Sequence, residues 1–105
     1  MTLPTQLVLR ALLAEPGQAK YGLQVCSEAG LPSGTIHPIL RRFENLGWLE
    51  SWWEDEEQAH AEGRPSRRYY QLTEDGAERV RIALAQATTS TAAGRLQPRP
   101  AGGVA

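Results

Sequence analysis

A chain of 105 residues with a net charge of −1 and 41% hydrophobic residues predicts one small domain with a modest core, and excludes both full disorder and a uniformly basic coat. A domain of this size buries little surface and gains from dimerising. The lone cysteine, Cys26, rules out an intramolecular disulfide, no apolar run approaches the ~18 residues of a membrane span, and no secretory signal is visible, so a reducing cytoplasm is expected and no membrane partner.

A first helix is predicted from Thr5 to Ala14, with Leu9, Leu12 and Leu13 at helical spacing, Val8 beside them and Thr5 as its cap. Pro16-Gly17 ends it. A second runs from Tyr21 to Ala29, with Leu23, Val25 and Cys26 apolar and Gly30 as its stop. A third starts at the candidate cap Ser33 and continues to Leu46. Ile36, Ile39, Leu40, Phe43 and Leu46 form its apolar stripe. The opposite face carries Gly34, Pro38, Arg41 and Asn45, flanked by His37 and Arg42, and Gly47 stops the helix.

Trp48 to Trp53 and Arg67 to Leu72 alternate as strands, joined by a polar loop from Asp55 to Ser66 into a long-tipped hairpin. Along the first strand Leu49, Ser51 and Trp53 point one way, and Trp48, Glu50 and Trp52 the other. Thr73-Glu74-Asp75-Gly76 then opens a last helix whose stripe is Ala77, Val80, Ala83 or Ile82, and Leu84. Composition changes at Thr88. The expected layout is therefore a domain over 1–87 and a disordered tail over 88–105.

The fold class expected is α+β, mostly helical: a winged helix-turn-helix of three helices, a two-stranded β wing and a C-terminal dimerisation helix. Gly30-Leu31-Pro32 is short enough to be the turn. In such a motif the second helix of the pair enters the major groove. Here that helix offers Ser33, Gly34, Thr35, His37, Pro38, Arg41 and Arg42, small polar groups first and cations one to two turns later. Hydroxyls and guanidinium groups reach phosphates and base edges. The wing adds Arg64, Arg67 and Arg68, which can grip a backbone or enter a minor groove. Arg67 and Arg68 could instead neutralise the acidic loop, which holds Asp55, Glu56, Glu57 and Glu62.

These residues resemble the PadR family of winged-helix transcriptional regulators. The likeness runs through Tyr21-Gly22-Leu23, the stretch from Gly30 to Leu40, Arg42-Phe43-Glu44, and Gly47-Trp48-Leu49-Glu50-Ser51. It continues through the stretch from Gly63 to Tyr70 and Leu72-Thr73-Glu74-Asp75-Gly76. The resemblance covers roughly Leu3 to Leu84. It implies a bacterial, cytoplasmic, nucleoid-associated homodimer that binds double-stranded DNA at an inverted-repeat operator. A repressor is implied, with release by a small-molecule effector as a further possibility. It also implies a subunit interface involving Leu9, Ala77, Val80, Ile82 and Leu84.

The chain departs from the family at His37, where tyrosine is usual. His37 is either a tolerant helix position or an altered base contact with a mild pH dependence. The last helix has no aromatic residue, so binding of flat drugs there is not implied. Trp53 or Trp48 is expected in the core, the remaining tryptophans as cover or, alternatively, as the lining of a ligand pocket. No nucleophile or metal motif surrounds His37 or His60, no cofactor is expected, and an enzyme is not. Cys26 is expected to be an inert buried thiol. The competing reading is a winged helix that binds protein, an adaptor or antirepressor docking a basic partner on its acidic loop.

Overall fold

The structure, a computed structural model, describes the backbone of residues 1–96 and the side chains of residues 1–87. The elements in chain order are α1 (Leu3–Ala14), β1 (Lys20–Tyr21), α2 (Gly22–Ala29), α3 (Ser33–Asn45), β2 (Leu49–Trp53), α4 (Glu56–Ala61), β3 (Arg68–Leu72) and α5 (Glu74–Leu96). The strands form one antiparallel sheet in the order β1-β3-β2. This is a winged helix with five helices and a three-stranded sheet among the described residues, one strand and one helix more than the periodicity shows.

The apolar stripes become one core. Val8, Leu9 and Leu12 of α1 meet Val25 and Ala29 of α2, and Ile36, Ile39, Leu40 and Phe43 of α3. Leu49, Tyr70 and Leu72 close it from the sheet, and Ala77, Val80 and Leu84 from α5. Gly30 stops α2 in the left-handed conformation at φ 71°, its amide on the Cys26 carbonyl. A residue with a Cβ is strained there.

Several local expectations are corrected. Thr2, not Thr5, caps α1, its hydroxyl accepting from the Thr5 amide at 3.4 Å, while Thr5 itself is buried. α3 has Pro32 at its cap position, and Ser33 is its first helical residue. Leu46 lies past the end of α3 and leaves the stripe for solvent. Cys26 is half-buried against the core rather than sealed within it.

Trp53 is 62% exposed, whereas Trp48 packs on the core beside Phe43, ring centres 5.0 Å apart. The hairpin explains this. Only its inner part, from the Leu49–Leu72 pair out to Tyr70 opposite Ser51, reaches the core. Farther out the two strands project beyond the body, and an alternating pattern no longer separates buried from exposed. Trp52 is satisfied by stacking on Tyr69, centres 6.4 Å apart.

The sole lysine joins three elements. Lys20 of β1 is 1% exposed and donates to the Ala11 carbonyl at 2.7 Å and to Glu28 at 2.6 Å, with Glu15 at 3.3 Å. A buried ammonium is tolerated only when paired in this way.

The start of α5 is docked on the residue before β2. Thr73 caps the helix, its hydroxyl accepting from the Gly76 amide at 2.8 Å, and the Thr73 amide donates to the Trp48 carbonyl at 3.0 Å. Gly76 lies directly against Trp48: a Cβ there would come within 2.7 Å of its Cα and carbonyl carbon. The helix then continues to Leu96, so the tail expected from Thr88 is helical in its first part. Alanine is frequent here and the first proline is Pro98, so nothing in the composition stops the helix at Thr88. The remainder of the expected tail, 97–105, lies outside the described residues.

Candidate nucleic-acid interface

α3 buries Ile36, Ile39, Leu40 and Phe43 and turns Ser33, Gly34, His37, Pro38 and Arg41 to solvent, with Thr35 half-buried beside them. The outward face is polar because the inward one takes every large apolar residue of the helix. Arg41 makes no hydrogen bond or ion pair among the described residues. Arg42 is tethered: it donates to the Thr5 hydroxyl at 3.2 Å and lies 5.0 Å from the Phe43 ring centre.

Two backbone features add to this face. Pro32 provides no side-chain cap, and the amides of Ser33 and Gly34 have no acceptor among the described residues. Free amides at a helix N-terminus favour an anion such as phosphate. Pro38 has no N–H, so the carbonyl one turn earlier, that of Gly34, lacks its helical donor. An acceptor without its regular helical donor thus sits on the exposed face, on a residue without a side chain.

The wing arginines lie in three different settings. Arg64 is committed internally: its guanidinium forks onto Glu54 at 2.5 and 2.7 Å and reaches Glu62 at 3.2 Å. Arg68 bridges to α3, donating to Ser51 at 2.7 Å and Glu44 at 3.3 Å, and its guanidinium lies 5.5 Å from the Trp53 ring centre. Ser51 in turn donates to Glu44. Arg67 stacks over the Tyr21 ring at 4.0 Å and makes no side-chain hydrogen bond among the described residues. The structure therefore brings His37, Arg64, Arg67 and Arg68 around one cleft, with Arg64 also engaged in an ion pair with Glu54, and leaves Arg41 free on α3.

The wing tip is a folded knob rather than a plain loop. Asp55 caps α4 through the Glu57 amide at 3.2 Å, Ala59 is buried beneath it, and Gly63 turns the chain at φ 71°. The Glu54 side chain is 6% exposed and also accepts the Arg67 amide. The Arg64 guanidinium, with that amide, lowers its pKa from 4.5 to about 2 against the opposing effect of burial, and Arg64 is raised in return. Because the folded value is the lower one, Glu54 stabilises the wing fully above about 4.5, and this is lost as pH falls toward 2. The variant Glu54→Gln is accordingly expected to melt below the parent at pH 5, with the gap closing by pH 2. A gap independent of pH in thermal melts would show that the pair does not form.

Of the expected interface residues, Leu9, Ala77, Val80 and Leu84 are buried within the single chain, and only Ile82, 49% exposed, is free to meet a partner. Helical periodicity shows that a residue is apolar but not whether its own chain or a second one covers it. Tyr21 and Leu23, which line the cleft with His37 and Trp53, are not among the expected site residues. Tyr21 is placed there by β1, a strand too short to leave a periodic signal.

The Transcriptional regulator PadR-like family matches residues 11–82, more than half of the chain. Among solved structures, a PadR family regulator from Clostridium difficile R20291 superposes with a TM-score of 0.68 at 20% identity, covering 88% of this chain and 94% of that one. One from Eggerthella lenta gives 0.63 at 26% identity over 90% and 83%. BpsR of Bordetella bronchiseptica, whose DNA binding is regulated by 6-hydroxynicotinic acid, gives 0.64 at 22% identity over 93% and 69%. No curated protein matches the chain significantly. No helix among the described residues is long and apolar enough to cross a membrane. The family match, the winged-helix fold and the exposed polar face of α3 converge: the protein belongs to the PadR family of DNA-binding transcriptional regulators, a non-enzymatic class.

Proposed function

We propose that the protein is a sequence-specific repressor that binds an inverted-repeat operator as a homodimer, with one α3 in each half-site. The observation that carries this reading is the outward face of α3. Free amides at Ser33 and Gly34, the Gly34 carbonyl and the unpaired Arg41 lie along one helix side, with Arg67 and Arg68 on the adjacent wing. Backbone amides and arginines position the phosphates, and Arg41 is the residue best placed to read guanine. The acidic side chains Glu44, Glu54 and Glu62 are each engaged by an arginine, which reduces their repulsion of phosphate.

The second subunit is expected on the surface formed by the start of α1 and the outer side of α5. Leu3 and Ile82 are 65% and 49% exposed there, and α5 runs on past Leu84 to Leu96. Half-site centres are then separated by ~10 bp or a multiple. Release by a small molecule is supported by the behaviour of BpsR, a fold relative that responds to one.

The test is selection of bound genomic fragments at low and high salt. A shared inverted repeat is expected. If Arg42, Arg67 and Arg68 of both subunits each neutralise a phosphate, the log–log salt slope is about −5. A sedimenting monomer at micromolar concentration would contradict the dimer. The exposed carboxylates of α4, Glu56 and Glu57, favour the protein-docking alternative. Absence of any enriched site, with capture of a basic protein that weakens as salt rises, would support that alternative.

A further inference from the structure

α3 and the wing are joined only by Leu46, Gly47 and Trp48, with Gly47 at φ 80°. β1 braces β3 as far out as Tyr69. Beyond that pair the hairpin is a lever. A strand rises ~3.3 Å per residue, so Trp53 and its partner Arg68 lie about 13 Å out from the Leu49–Leu72 pair. A tilt of ~10° about that inner pair moves Arg68 by ~2 Å, which breaks a hydrogen bond to a phosphate.

Glu44 meets this lever from α3. It stands seven residues after His37, on the same flank of the helix. It also lies in the last turn of α3, where the helix dipole favours cations over a carboxylate. Local preference therefore does not account for an acid here, on a helix that must approach phosphate. The wing does. Arg68 donates through Nη2 to Glu44 at 3.3 Å and to the Ser51 hydroxyl at 2.7 Å. Ser51 donates in turn to the same carboxylate oxygen of Glu44. The three side chains close a ring of hydrogen bonds linking α3, β2 and β3. Arg68 stays 37% exposed while so held, and its other two nitrogens carry further donors. A pair this exposed adds little to stability, so its effect is on geometry.

We propose that Glu44, acting through Ser51, is a positioning residue for operator recognition: it locks the wing at a fixed angle to α3 and aims Arg68 at a phosphate. The lock is a property of the free protein, whereas its effect on recognition rests on the reading that α3 and the wing meet DNA. Charge alone predicts the opposite effect. Glu44 is an acid on the DNA side, and its neutralisation would then tighten binding to any duplex.

The experiment titrates the full chain, by fluorescence anisotropy, onto the operator duplex from the fragment selection and onto a scrambled duplex of the same composition. Glu44→Gln keeps Arg68 and removes the acid. Its operator binding is expected to weaken about tenfold, and its scrambled-duplex binding to hold or tighten. Ser51→Ala changes no charge and is expected to weaken operator binding alone, about threefold. In an Arg68→Gln background, Glu44→Gln is expected to add no further loss. Unchanged or tighter operator binding by Glu44→Gln, an equal loss on the scrambled duplex, or the same loss repeated in the Arg68→Gln background overturns the proposal. Thermal melts report folding, and Ser51→Ala decides by the same criteria if Glu44→Gln does not fold. Without DNA, the Arg68 guanidinium ¹⁵N signals are expected to show restricted rotation in the parent and free rotation in Glu44→Gln. A parent with a fixed Arg68 that prefers neither duplex removes the DNA reading and leaves the lock. Operator preference with a freely rotating Arg68 removes the lock and leaves the reading.

Discussion

Replacing Gly76 by alanine is expected to destabilise the domain by about 3 kcal/mol or more, the upper end of overpacking costs. The added methyl would overlap the Cα, carbonyl carbon and carbonyl oxygen of Trp48. These are backbone atoms, so no rotamer change relieves the overlap. Trp48's carbonyl also receives the Thr73 amide, and the Gly76 amide completes the Thr73 cap. Moving α5 away therefore breaks the cap and lifts Ala77 and Val80 from the core. On a domain of this size such a loss lowers Tm by more than ten degrees, taking ~4–8 °C per kcal/mol. The control is Gly34→Ala on α3, where a Cβ meets nothing within 4 Å. Helix propensity alone predicts a gain of up to ~1 kcal/mol there. Circular-dichroism melts of the two variants decide the matter, and a Gly76→Ala protein melting within two degrees of the parent would contradict the docking described.

The double variant Arg41→Ala/Arg42→Ala is expected to lose operator binding. With each arginine contributing at least ~1 kcal/mol in each of two half-sites, the loss is about a thousandfold. The structure separates the two residues. Arg41 is exposed and makes no hydrogen bond or ion pair among the described residues, so Arg41→Ala alone weakens binding without changing Tm. Arg42 also bonds Thr5 and covers Phe43, so its removal affects stability as well as binding. Fluorescence anisotropy on an operator duplex, beside thermal melts, reads both effects. Undiminished binding by a folded double variant would remove α3 from the interface.

The helices of the DNA-binding half were legible because their signals are local. Apolar spacing identifies the buried faces of α1 and α3, and Gly30, Gly47 and Thr73 mark an end or a start through backbone conformation or a cap within a few residues. The polar face of α3 followed from the same count, since residues opposite a buried stripe point outward. α4 was not legible: a single turn and a half of acidic helix anchored by Ala59 has no stripe long enough to detect. Neither was β1, whose two residues become a strand only because β3 lies beside them.

The order of the main elements, their inward and outward faces, and the family are written locally along the chain, because propensity, capping and periodicity act over a few residues. How distant charges and rings combine is set by the folded arrangement instead. Arg64 is drawn to Glu54, ten residues before it, and so is held in an ion pair within the wing. Arg67 remains free because its stacking partner, Tyr21, comes from the far end of the chain and neutralises nothing. Leu9, Ala77, Val80 and Leu84 are covered by their own chain, which leaves the outer side of α5 to any partner. Pairing and burial depend on three-dimensional distance, and no count along the chain contains it.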